Sequence, residues 1–243
     1  MTDPLVIEMM SSKIILWRCL HGGPLTADSI EQGVRDKETP SAKFYARNLS
    51  FLQNLTDTYG ACSVVARAGE LFVGHLRFYP KAVRELADPG LGLCLQQEFP
   101  YGPAWDFERR TFPPLDKIED KTLLVHCMML AAEEPGRESC RRKGIGTRMA
   151  RALVAWATIK GWNAVEATAY ESLPIIYAAS GQAGRSFWEG LGFRLARTER
   201  ETALEAESEF VRTMREEALA LGVDLARLAN KYMMRLDLRK EGG

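Results

Sequence analysis

Apolar and polar residues are distributed along the chain in two periodicities, which separate short extended runs from amphipathic helices. Residues 14–20, IILWRCL, form an apolar, β-prone run that His21-Gly22-Gly23-Pro24 stops. A short helix is expected near Leu25–Val34. A longer one over about Pro40–Thr58 carries Phe44, Leu52 and Leu55 and ends at Tyr59-Gly60. Residues 61–80 hold two strand-like runs on either side of Ala68-Gly69-Glu70, the pattern of a β-hairpin with glycine in its turn. Residues 81–120 break the regularity with Pro89, Pro100, Pro103, Pro113 and Pro114, and with Gly90, Gly92 and Gly102 between them. Such punctuation predicts loops and short pieces. Tyr101, Trp105 and Phe107 either pin this stretch to the core or make it a lid over a binding site.

The second half is more regular. TLLVHCMML at 122–130 is nearly continuous in apolar residues, as a strand buried on both faces would be. After a polar loop, a helix begins near Lys143 with Ile145, Met149, Ala152, Leu153 and Trp156 on one stripe. Gly161 closes it, and NAVEATAY at 163–170 is again β-prone. Strand, crossover helix and strand predict a right-handed unit with two parallel strands. A glycine-containing segment, a short helix over Arg185–Gly190 and a strand over Phe193–Thr198 follow. Residues 199–229 read as a charged amphipathic helix, because Leu204, Val211 and Ala218 recur every seven residues with Met214 and Leu221 beside them. Its apolar side packs on its own domain or against a second copy of the chain. KYMMRLDL at 231–238 is a final strand. The expected organisation is one domain over residues 1–243, lengthened at about 81–120 and 199–229.

Composition narrows the function classes. The 243 residues carry 32 Lys+Arg against 32 Asp+Glu, with 46% hydrophobic and 26% charged residues, the usage of an ordinary globular protein. A balanced charge argues against general nucleic-acid or membrane-surface binding. Cys19, Cys62, Cys94, Cys127 and Cys140 are odd in number and widely spaced, as are His21, His75 and His126. No disulfide framework or metal site is expected from those spacings. No apolar run approaches the ~20 residues of a membrane span. The acidic start MTDPLVIEMM lacks the basic region of a signal peptide, so a cytoplasmic protein is expected.

The chemistry concentrates at Arg141-Arg142-Lys143-Gly144-Ile145-Gly146-Thr147, between the buried strand and its crossover helix. Glycines at 144 and 146 let a bulky anion approach the backbone. The helix start offers unpaired N–H groups and the positive end of its dipole. Arg141, Arg142, Lys143 and Arg148 oppose that dipole, so an anion there relieves a local conflict. The Thr147 hydroxyl supplies another donor. The spacing is neither that of a Walker A loop nor G-x-G-x-x-G, because position 149 is Met.

The pattern R-x-x-G-x-G at Arg141–Gly146 resembles the acyl-CoA pyrophosphate loop of the GNAT superfamily of N-acyltransferases. Phe187-Trp188-Glu189-Gly190-Leu191-Gly192-Phe193 is similar to that family's short helix and turn, usually F-Y-x-x-x-G-F. The order of hairpin, buried strand, glycine-loop helix, strand, short helix and strand agrees as well. The resemblance implies an α/β fold with a mixed central sheet, splayed parallel strands and flanking helices. It implies acetyl-CoA as co-substrate, no metal, and an amine acceptor on a small molecule or protein. Arg142–Thr147 would hold the pyrophosphate, with Arg141 adjacent. The main chain of Met128, Met129 and Leu130 would pair with the pantetheine amides, and Phe187 and Trp188 would flank the thiol end. The amine would attack the thioester directly, its carbonyl polarised by a backbone N–H.

The departures leave the proton steps open. The family's thiolate-protonating tyrosine falls at Trp188, whose indole has no proton to give at neutral pH. Tyr170 and Tyr177 are alternatives, or they are ordinary core and surface tyrosines. His126 is a hydrogen-bonded core residue or a general base. Strand alternation directs Cys127 to the face opposite His126. Glu133 and Glu134 stand in a loop longer than the family pattern, and solvated charge is the ordinary reading for them. The rival function is an acyl-CoA-binding or regulatory module without turnover, and a third is a scaffold that dimerises through 199–229.

Overall fold

The computed structural model describes residues 4–13, 15–16, 20, 23–30, 40–83, 112–131 and 143–238. Its centre is a seven-stranded sheet in the order β1-β2-β3-β4-β5-β7-β6. The strands are β1 (Leu5–Met9), β2 (Ser63–Ala68), β3 (Leu71–Pro80), β4 (Thr122–Leu130), β5 (Ala164–Ala169), β6 (Arg194–Arg200) and β7 (Asn230–Asp237). The helices are α1 (Pro40–Tyr59), α2 (Ile145–Lys160), α3 (Pro174–Ser180), α4 (Arg185–Glu189) and α5 (Glu209–Ala220). Every pairing is antiparallel except β4 with β5. The fold is therefore mixed α/β with one parallel pair at its centre, as the strand-helix-strand pattern predicts.

The elements follow from local chemistry. Gly69, at φ 59°, supplies the left-handed turn between β2 and β3. Along α2 the apolar stripe buries Ile145, Met149 and Leu153 against the sheet, and Gly161 at φ 82° stops the helix. Phe51 of α1 meets the other face, its ring edge-on to Tyr79 at 6.1 Å. Phe78, one residue earlier, points to the α2 side, 5.2 Å from Trp156.

A bulge in β4 corrects the expected alternation of His126 and Cys127. The register pairs Phe78 with Val125 and Arg77 with Cys127, so His126 is an extra residue on β4. The His126 ring lies 5.4 Å from Tyr79, on the α1 face. Cys127 lies on that face too, with its Sγ 3.7 Å from His75 Nε2. Both side chains line one face because the bulge absorbs the alternation between them.

Three further expectations change. Ile15 and Leu16 lie outside any strand, as buried coil whose Leu16 carbonyl accepts from Arg77 Nη2 at 2.9 Å. The first strand is instead the half-exposed edge LVIEM. The long helix of 199–229 is confined to α5. Its start is capped by Ser208, which accepts from the Val211 N–H, and Gly222 at φ 69° follows its end. Leu204 is buried from a separate 3-10 turn, while Leu221 is exposed. The glycine-containing segment before α4 contains the helix α3. The 81–120 insertion lies mostly outside the described residues, including Tyr101, Trp105 and Phe107.

Residues 201–229, inserted between β6 and β7, pack against α3. Tyr170, Leu173 and Ile176 join Leu204, Val211, Met214, Ala218, Leu228 and Ala229 in a second hydrophobic core, separate from the main one. Beyond it, β6 forms one edge of the sheet, with all seven residues exposed and a register shift between Leu195 and Arg197.

Candidate functional site

The site begins where α2 leaves the end of β4. Gly144 precedes the helix at φ 71°, ψ 12°, with no side-chain hydrogen bond capping the first turn. The first N–H groups of the helix therefore face outward without intrahelical acceptors. A side chain on Gly144 would have nothing within 4 Å. Gly146 is buried, and a Cβ there would meet Met128 Sδ and Cε at 3.2 Å and Phe187 Cε2 at 3.6 Å. Its lack of a side chain lets the helix start sit directly on β4 and α4. Lys143 and Arg148 are exposed beside this start, with Arg148 Nη2 donating to the Leu5 carbonyl at 3.3 Å. Thr147 is half-buried. Arg141 and Arg142, and the loop carrying Glu133 and Glu134, lie outside the described residues.

The parallel strands diverge next to it. β4 and β5 are in register only from Thr122–Ala164 to Val125–Ala167. Past that point the chain's own segment 177–185 lies in the gap. Gly181 O accepts from the Met128 N–H at 2.8 Å. Gln182 Nε2 donates to the His126 carbonyl at 2.5 Å, and Tyr177 Oη accepts from the Leu130 N–H at 3.0 Å. On the opposite side Gly184 bridges to Tyr170, and the Arg185 N–H donates to the Tyr170 carbonyl at 2.9 Å. Gly181 sits at φ 65°, where a Cβ would stand 3.1 Å from Met129 Cγ and 3.4 Å from Cys127 Cβ. The edge of β4 expected to receive pantetheine amides thus already has internal partners at Met128 and Leu130.

The proton-transfer candidates are dispersed. His126 is buried at the bulge, between the Tyr79 ring and its own carbonyl's bond to Gln182. Tyr170, 1% exposed, directs its hydroxyl to Glu201 Oε2 at 3.5 Å in the second core, whereas Tyr177 reaches the end of β4. Trp188 is 1% exposed, packed between Phe187 at 5.0 Å and Phe193 at 4.9 Å. Its indole N–H has no hydrogen-bond partner among the described residues. Gln182, Glu201 and Glu217 are participants that no motif singles out. Glu201 and Glu217 meet their partners only once 201–229 packs on Tyr170 and α3, and Gln182 only once its segment meets β4.

No protein-family model and no curated protein matches the chain. Solved structures do. One is an N-acetyltransferase from Staphylococcus aureus Mu50, at 12% identity over 98% of this chain and 100% of that one, with a TM-score of 0.48. Another is an acetyltransferase of the GNAT family from Streptococcus pneumoniae, at 10% identity over 96% and 99%, TM-score 0.46. A third is a Salmonella typhimurium protein solved with its cofactor acetyl-CoA, at 13% identity over 99% and 98%, TM-score 0.46. The fold is similar to that of GNAT acetyltransferases. At these identities the likeness concerns the fold, and residue roles rest on the geometry of this chain. Among the described residues no group of three or more His, Cys, Asp and Glu side chains is gathered as metal ligands would be. No described helix is long and apolar enough to cross a membrane.

Proposed function

We propose that the chain is an N-acyltransferase that moves an acetyl group from acetyl-CoA to an amine. One observation carries the reading. The uncapped start of α2, with Gly144 at positive φ and Gly146 against Met128 and Phe187, adjoins the point where the single parallel pair diverges. An anion fits that start because the N–H groups of Ile145, Gly146 and Thr147 converge there with Lys143 alongside. Arg141 and Arg142 add charge by their sequence position. Phe187, half-buried beside Gly146, offers an apolar wall for the thiol end, with Trp188 packed behind it.

The chemistry is direct acyl transfer. The amine nitrogen bonds the thioester carbon, the C–S bond breaks, the thiolate leaves, and the former ammonium proton passes to a base. Among the tyrosines, Tyr177 is the candidate to return a proton to the thiolate, since it stands at the β4 edge and its hydroxyl is not directed into the second core as that of Tyr170 is. His126 is the candidate base, and Tyr170 the weaker alternative because Glu201 holds its hydroxyl in the second core. The 81–120 stretch and the helical segment of 199–229 are the candidates to select the acceptor. A cytoplasmic location with a small-molecule or protein amine as partner completes the proposal.

A binding module without turnover is the second reading, favoured by the indole of Trp188 at the usual acid position. Incubation with acetyl-CoA and a panel of amines, following release of free thiol, separates the two. Turnover with any amine supports transfer; acetyl-CoA binding without turnover selects the binding module. No binding, and no effect of Gly144→Glu, removes both.

A further inference from the structure

We propose that residues 174–182 are a gate across the β4 edge, closed in this structure and latched by α5, and that an acyl-CoA donor seats fully only when the gate lifts. This rests on the acyltransferase reading above. The polar groups that face the gap from β4 include the His126 carbonyl and the Met128 and Leu130 N–H groups. All three are bonded to the gate, through Gln182, Gly181 and Tyr177 respectively. A pantetheine arm carries two amides that need such partners, and one N–H cannot serve both. Seating of the gate and pairing of the arm along this edge are therefore mutually exclusive.

The gate is also built to be released. α3 is only seven residues long, and its N-cap, Leu173, has no side chain able to accept a hydrogen bond. The acceptor comes instead from α5, where Glu217 Oε2 takes the Ile175 N–H at 3.0 Å. Leu173 and Ile176 anchor the same helix in the second core beside Val211, Met214 and Ala218. At the other end Gly181, at φ 65°, is a joint between helix and gap. Donor binding would exchange three internal hydrogen bonds for similar ones, which is nearly neutral. The latch to α5 therefore sets the balance, and weakening it raises the fraction of chains ready to bind. Lifting the gate also frees the Tyr177 hydroxyl from the Leu130 N–H.

The test compares wild type with Glu217→Ala and Gln182→Ala in the full chain, by calorimetric titration with acetyl-CoA and by hydrogen exchange. Circular dichroism checks that each variant is folded. Glu217→Ala should tighten acetyl-CoA binding about 3- to 10-fold, the reciprocal of the lost latch. Gln182→Ala loses one gate bond without touching α5 and should act in the same direction. Acetyl-CoA bound to wild type should slow exchange at Ile145–Arg148 and speed it at Tyr177 and Gly181. Equal or weaker binding by both folded variants overturns the gate, as does slowed exchange through α3. In either case, binding to Ile145–Arg148 leaves the acyltransferase reading standing. If neither wild type nor the loosened variants bind acetyl-CoA, the acyltransferase reading fails and the gate falls with it.

Discussion

Substitution of Gly144 separates backbone strain from ligand contact at the start of α2. At φ 71° and ψ 12° the residue is in the left-handed region, and a Cβ would meet nothing within 4 Å. Steric overlap therefore adds nothing, and the cost of Gly144→Ala is the conformational term alone. That term is about 1–2 kcal/mol for an L-residue. The stiffer unfolded chain of Ala returns roughly 0.4–1 kcal/mol, leaving a net loss of about 1 kcal/mol. For a chain of this size that lowers Tm by about 2–4 °C. Asn tolerates the left-handed region, so Gly144→Asn should lose less. Partial relief of that strain turns the backbone slightly and redirects the Ile145 and Gly146 N–H groups. Acetyl-CoA affinity should then fall about tenfold, near 1.4 kcal/mol, with Asn close to wild type. Urea unfolding and calorimetric titration of the three proteins measure both effects. Ala indistinguishable from wild type in both assays, or Asn worse than Ala in stability, refutes the reasoning.

Three other expectations are independent of the ligand. Glu166 is buried between Arg235 Nη1 at 2.7 Å and Lys81 Nζ at 3.3 Å, so Arg235→Ala should cost about 1–3 kcal/mol in urea unfolding, and Glu166→Gln with Arg235→Ala less than the sum of the singles. Burial pushes the Cys62 thiol from its ordinary value near 9 up to about 11, so the folded chain holds this proton more tightly than the unfolded one. That contribution, roughly 2–3 kcal/mol, is complete below pH 9 and lost as pH rises toward 11, and Cys62→Ala should flatten this part of the stability profile. Trp188→Ala, at a site 1% exposed, should cost about 3–5 kcal/mol and Trp188→Phe clearly less, read from the midpoint of chemical denaturation.

Much of the fold is legible where a segment's fate is decided by its own residues. The continuous apolar run fixes β4, Ala68-Gly69-Glu70 fixes the hairpin, and the stripe from Ile145 with Gly161 behind it fixes α2 to within two residues. The glycines of the α2 start are equally local. What escapes reading depends on partners distant in sequence. α3 is capped by Glu217, 42 residues further on, so no cap signal stands beside it. The heptad recurrence of Leu204, Val211 and Ala218 reports a shared core entered by a turn and a helix, not one continuous helix. The common face of His126 and Cys127 comes from a bulge set by pairing with Arg77 and Phe78 of β3. The occupied β4 edge is equally non-local, since Tyr177, Gly181 and Gln182 reach it from about 50 residues further along the chain.

The outermost strand, β6, bears on how copies of this protein meet. Its seven residues, RLARTER, are all exposed, and the skipped pairing at Ala196 twists the ribbon. Arg197 pairs with Glu199 at 2.7 Å and Arg200 with Glu205 at 2.6 Å, so charge is neutralised within the chain while remaining hydrated. A strand arriving from another molecule would have to strip water from these groups and flatten the twist before gaining any backbone hydrogen bond. This margin is a poor template for intermolecular sheet growth.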